Sequence, residues 1–177
     1  MEAHSAKAMA ARAVELCTAL LYEDATAESV ARVLLAHGER GPLDLAEADL
    51  RAMREVAARL VEVLAVPAPA PAAVLLNRLL AAAAGPPRLT SHDGTTGWHV
   101  HVDSDDDAPW AEWFQASSAL ALAVLLADHQ RVPGGLCASP ACRRPFLHAG
   151  GGSPRRYCSP RCATRERVAA YRSTRPA

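Results

Sequence analysis

Four cysteines put the strongest constraint on what this chain can fold into. Cys137 and Cys142 have four residues between them, Cys158 and Cys162 have three, and fifteen residues separate the two pairs. A short pair lets two sulfurs reach one ion from a tight turn, and fifteen residues leave room for a hairpin that brings the second pair round. The spacing therefore predicts a metal site made by Cys137, Cys142, Cys158 and Cys162. Four sulfurs close a tetrahedral ion, so the expected metal is structural and not catalytic: one Zn2+, with iron as the alternative. Two disulfides, or buried thiols acting as small hydrophobes, compete with this reading. They suit the chain less well, because Met1 to Ala11 lacks the apolar core of a secretion signal.

The residues around the cysteines carry turn chemistry. Ser139 and Pro140 lie inside the first pair, and Gly150, Gly151, Gly152, Ser153 and Pro154 are expected to form a loop between the pairs. Ser159 is placed to cap a helix with Pro160 as its first residue, which puts Cys162 in the first turn, where free backbone N–H groups favour a thiolate. Knuckle, hairpin and helix in that order describe a small treble-clef-like zinc finger.

At these positions the chain resembles the CGNR zinc-finger family. The resemblance rests on Cys137-Ala-Ser-Pro-Ala-Cys142, on Arg143-Arg144-Pro145-Phe146, and on the run from Ser153 through Arg155, Arg156, Tyr157 and Cys158 to Cys162-Ala163-Thr164-Arg165. The family's Cys-Gly-Asn-Arg signature reads Cys162-Ala163-Thr164-Arg165 here. Tyr157 stands where a Trp is usual, and His148 where an acidic residue is usual. All four ligands and Arg165 are retained. The resemblance implies a transcription regulator that joins a C-terminal finger to a mostly helical N-terminal region of the ABATE type, which would receive a signal from a small ligand or a protein partner.

The composition agrees with a mainly α chain. Half of the 177 residues are hydrophobic, many of them alanine, and only 5% are aromatic, which favours helices over strands. The expected organisation is a helical domain over 1–131 containing a small β-hairpin, followed by the finger with a basic C-terminal helix over 132–177. No apolar run is judged to reach the roughly 18 residues that span a bilayer, so a cytoplasmic protein without a membrane partner is expected.

Helical periodicity predicts a first helix over 6–22, with Val14, Cys17, Leu20 and Leu21 at core spacing. A second follows the cap Thr26, carries Val30, Val33, Leu34 and His37 near one face, and stops at Gly38. Asp44 and Glu47 form a capping-box pattern opening a helix to about Leu64, whose apolar face is Leu50, Met53, Val56, Ala57, Leu60, Val61 and Leu64. Pro67, Pro69 and Pro71 are expected to make a stiff connector before a helix over 72–84. Arg88 to His92 and Trp98 to Asp103 alternate about Asp93-Gly94 as a β-hairpin. His99 and His101 then share a face, which either holds a metal or does acid–base work, or merely reflects a half-exposed strand. The acidic run from Asp103 to Asp107 lacks the glycine and distal Glu of a calcium loop. From Pro109 to about Gln130 runs the most apolar helix, expected at the centre of the first domain, with Trp110, Trp113, Ser117 and Ser118 either lining a pocket or packing the core.

A net charge of zero hides a strong asymmetry. Residues 1–130 hold 9 of the 19 basic and 18 of the 19 acidic residues, leaving ten arginines against Glu166 alone in 131–177. Arg161, Arg165 and Arg172 share a narrow stripe of the last helix, and Arg167 lies on another row. With Arg155 and Arg156 they form the candidate nucleic-acid contacts, and DNA is the expected partner. Three other uses of the charge compete: docking of the tail on its own acidic body, arginines that neutralise the metal thiolates, and a finger that binds protein. No nucleophile elbow, phosphate loop, dinucleotide fingerprint or metallohydrolase pattern is present, so catalysis is not expected.

Overall fold

In the computed structural model, which describes residues 5–83, 85–105, 107–148 and 155–173, the chain forms six helices and two small hairpins. The helical part comprises α1 (Ala6–Tyr22), α2 (Ala27–Ala36), α3 (Glu47–Ala65), α4 (Pro69–Ala83) and α5 (Trp110–His129). The hairpin β1 (Arg88–Thr90) and β2 (His99–His101) lies between α4 and α5. The finger adds β3 (Gly134–Leu136), β4 (Pro145–Leu147) and α6 (Pro160–Ser173). The fold is mainly α, as the sequence predicts.

Local signals explain most boundaries. Ser5 caps α1 by accepting from Ala8 N–H, and Thr26 and Ser29 form a reciprocal capping box on α2. The start of α3 differs from the expected Asp44–Glu47 box: Ala46 is the cap residue, and its N–H donates 2.9 Å to the Asp49 carboxylate. The proline connector is shorter than expected, because α4 already begins at Pro69. Pro69 and Pro71 stand in its first turn, where a missing N–H costs no helical bond. Ala84 and Asp106 lie outside the described residues.

Packing centres on α5, which touches α1, α3 and α4. Phe114, Leu16, Leu60, Met53, Leu76 and Leu122 are sealed from solvent in one cluster. The α3 face is the predicted one except that Val63 is fully buried while Val61 is partly so, and Leu21 of α1 is exposed. Contrary to expectation, α5 is long and apolar enough to cross a bilayer by length and composition. Its apolar surface instead meets three neighbouring helices, with Phe114, Ala116, Ala119, Ala121 and Leu122 buried. Ser118 is buried in the same core.

The first hairpin pairs Arg88 with His101 and Thr90 with His99, so its strands are shorter than predicted. The connecting loop turns through His92, Asp93 and Gly94, all at positive φ. Gly85 N–H donates to Val102 O at 2.7 Å, and Arg40 donates to Thr95 O at 2.9 Å, tying the hairpin to the helices.

The finger leans on the body through its own hairpin. β3 and β4 lie against α3, β4 also meets α1, and Leu147 packs on the main core. Gly134 pairs with Leu147 beside Leu64, and a Cβ there would run into the Phe146 carbonyl. Arg144 and Glu23 form an ion pair of 2.8 Å across the same contact.

Because Phe114 fills the centre of the bundle, Phe114→Ala should destabilise the folded chain by about 3–5 kcal/mol, read as a lower urea midpoint at unchanged m-value.

Candidate metal centre and domain cavity

The cysteine pairs converge. All four sulfurs lie within 4.8 Å of one another; Cys142 and Cys158 are 3.6 Å apart, and Cys158 and Cys162 are 3.7 Å apart. Zinc–sulfur bonds of about 2.3 Å in a tetrahedron require about 3.8 Å between sulfurs, whereas a disulfide requires about 2.05 Å. The residues therefore fit one structural Zn2+, and the disulfide arrangement is excluded. The hairpin takes a different place from the one expected: β3 and β4 flank the first cysteine pair instead of filling the gap between pairs. Gly150 to Pro154, expected to form that gap's loop, lie outside the described residues.

Backbone hydrogen bonds shape the first knuckle. Cys137 N–H donates to Arg144 O at 2.9 Å, Cys142 N–H to Ser139 O at 2.9 Å, and Ala138 N–H reaches Arg156 O at 2.8 Å. In the second pair, Ser159 Oγ accepts from Cys162 N–H at 3.3 Å and Pro160 opens α6, as the sequence predicts. Among the free thiols, hydrogen bonding to Ser159 helps lower Cys162 to about 7, while burial and the neighbouring sulfurs push Cys158 up to about 12. Zinc takes all four as thiolates, so binding releases protons.

Ser139 is fully buried at the centre of a polar bridge. Its hydroxyl donates to Glu166, the lone acid of the finger, and accepts from Arg165. Arg165 also reaches Cys162 Sγ at 3.5 Å, a direct contact to a metal ligand. Arg165 thus supports the metal turn. Arg155 donates to Leu147 O, and Arg156 lies 5.8 Å over the Tyr157 ring.

A second site lies in the helical part. A cavity of about 470 Å³ opens between α1, the end of α2, the first hairpin and the start of α5. Trp110, Trp113 and Ser117 line it, as the pocket reading of α5 expects. Arg12 enters from α1 with only 7% of its side chain exposed; burial lowers its pKa, and the 2.7 Å ion pair with Glu39 opposes that shift. Its guanidinium also lies 4.2 Å from the Trp113 ring centroid and donates 3.2 Å to Ser117. His92, His99 and His101 line the same cavity.

Residues 11–132 match the family described as "Putative stress-induced transcription regulator", ABATE, and residues 135–175 match the CGNR zinc finger. This chain belongs to the ABATE family. Its C-terminal part is a CGNR zinc finger that holds one structural zinc. No curated protein matches the chain.

In this ABATE protein the six candidate nucleic-acid arginines, Arg155, Arg156, Arg161, Arg165, Arg167 and Arg172, are all exposed. Ala169, seven residues after Cys162 and on the same side of α6, is exposed too, because α6 runs past the finger after its first turns. Arg12, Glu39 and His92 were given no site role by sequence reasoning, and Ser139 was read only as a turn residue. A trace of Arg12 is visible as a cation on the Met9–Leu16 face of α1, where an apolar residue would be ordinary.

Purified under reducing conditions, the protein should retain a zinc ion that Cys158→Ala loses. Arg165→Ala should weaken zinc retention by about 10–100-fold, measured by competition with a chromogenic chelator. Retention unchanged in Arg165→Ala would show that the contact with Cys162 is incidental.

Proposed function

We propose that this protein is a DNA-binding transcription regulator in which the finger carries the nucleic-acid contact and the helical part receives a signal in the cytoplasm. The observation that carries the reading is the exposure of α6. Its first two turns are anchored through Cys162 and Glu166, and every residue from Arg167 to Ser173 is exposed. Arg161, Arg165 and Arg172 fall within about 40° of one another around this helix. A rigid helix presenting one cationic stripe suits phosphates lining a groove, with Arg155 and Arg156 adding charge near its base. The acidic body engages the finger through Glu23 and Arg144, and with Arg165 turned to Ser139 and Cys162 the stripe offers Arg161 and Arg172 to an outside partner. Matching the regulator and zinc-finger families supports the same reading.

A finger that docks on protein is the second reading. It is favoured by Val168 and Tyr171, which are 43% and 58% exposed on the same helix.

Duplex titrations on the zinc-loaded protein separate the two. Each phosphate contact contributes about 0.9 to the slope of log affinity against log salt, so replacing both Arg161 and Arg172 with Ala should lower that slope by about 2, on all sequences alike. A flat titration at low salt, where the electrostatic attraction is strongest, would favour the protein-docking finger.

We further read residues 1–131 and 132–177 as separately cohesive units, because the core cluster draws almost wholly on the first. Cys158→Ala should then abolish finger order and leave most of the far-ultraviolet helical signal. Global collapse would join the two into one folding unit.

A further inference from the structure

Three histidines of the cavity wall converge in a way that strand alternation does not explain. His99 and His101 share a strand face, but His92 arrives from the hairpin loop at φ 46° and completes a triangle. Ring centroids are 5.1 Å apart for His92 and His99, 5.1 Å for His92 and His101, and 4.9 Å for His99 and His101. One potential ligand nitrogen from each ring lies within 4.8 Å of the others.

The hydrogen bonds at the far side of two rings set their tautomers. His99 Nδ1 lies 2.7 Å from Gly97 O, and a carbonyl can only accept, so Nδ1 carries the proton. His101 Nδ1 lies 2.9 Å from Asp103 Oδ1, and Arg88 donates to that same oxygen at 2.9 Å. Asp103 is 3% exposed. Arg88 Nη2 and His101 Nδ1, 3.3 Å apart, are thus two donors converging on one carboxylate. With both Nδ1 atoms donating, the two Nε2 lone pairs face each other at 3.1 Å. A cation between them, either a shared proton or a metal ion, turns that repulsive contact into an attractive one.

The distances match the metal. Zinc–imidazole bonds of about 2.0–2.1 Å at tetrahedral angles place ligand nitrogens about 3.3 Å apart and ring centroids about 5.2 Å apart. A histidine ligand whose other nitrogen donates to a carboxylate or carbonyl is the usual support of such a site. We infer that His92, His99 and His101 form a second metal site, distinct from the finger, which takes one divalent transition ion of the zinc class. Among the described residues three imidazoles converge, which leaves one position of a tetrahedral ion without a ligand from those residues, and the site borders the cavity shared by Arg12 and Trp113. The helical part then receives its ligand at a metal centre, with water or a small anion in the open position. Nothing in this inference depends on whether the finger binds DNA.

The test is a calorimetric titration of Zn2+ into the full chain with its finger already loaded, in a non-coordinating buffer. The expected result is uptake of one further ion per chain. His92→Gln, His99→Gln and His101→Gln should each lose that ion while keeping the finger's, and Asp103→Asn should weaken it by about 10-fold or more. Imidazole ¹⁵N resonances of His92, His99 and His101 in the unaltered protein should move together on zinc addition, leaving those of His37 and His129 in place, which makes the result independent of how well any variant folds. No further uptake would mean that His99 and His101 share a proton and would overturn the inference. So would a further ion that survives all three His→Gln changes, or resonance shifts confined to other histidines.

Discussion

Past the joint at Val132, the buried apolar side chains of the described residues reduce to Cys137, Phe146 and Cys162 with the rings of Pro133 and Pro145, and both cysteines are zinc ligands. So small an apolar interior cannot offset the entropy of ordering some forty residues. The metal–thiolate bonds supply the missing cohesion, since structural zinc in isolated fingers contributes about 10–16 kcal/mol of folding free energy. Everything the finger presents follows from this centre. The knuckle turn exists because Cys137 and Cys142 must reach one ion, and α6 points where it does because Cys162 sits in its first turn. Ser139, Arg165 and Glu166 then lock that helix to the knuckle by a buried polar bridge.

The helical part is held by another kind of force. Its interior is chiefly one apolar cluster around Phe114, Leu16 and Leu60, and of its buried polar side chains Arg12, His99 and Asp103 lie at the cavity. Arg12 remains charged in a nearly dry wall because Glu39 neutralises it, the Trp113 face attracts it and Ser117 Oγ accepts a further hydrogen bond from it. Asp103 remains buried because Arg88 and His101 both donate to it. Buried ion pairs of this sort add little net stability against apolar packing, and Arg12 and Asp103 both line the cavity.

What could be read before folding was local. Metal-ligand spacing, a Ser-Pro helix start and an apolar period each operate within a few residues, and the cysteine centre, α1, α2 and the outline of α5 follow from them. Capping proved less legible where two acids compete: Asp49, not Glu47, reaches back to the free N–H, because the chain turns at Ala46. Prolines misled at α4, since the first turn tolerates what the interior does not. The cavity was half visible. Trp110, Trp113 and Ser117 lie on one helix, and His99 and His101 on one strand, but Arg12, Glu39 and His92 join them only through the docking of α1 and the hairpin loop. No periodicity records an encounter between residues eighty positions apart.

The first helix serves both parts of the molecule. Arg12 stands in the cavity wall, and Glu23, at the C-terminal end of α1, grips Arg144 of the finger. Eleven residues are about three helical turns, so the helix between them fixes the angle between the two positions and sets them about 16 Å apart along the axis. A one-residue insertion or deletion between them would swing one charge by about 100° away from its partner. The length of that segment is therefore held by geometry alone, however freely its exposed side chains are exchanged, and homologous chains should vary there by substitution and not by indels.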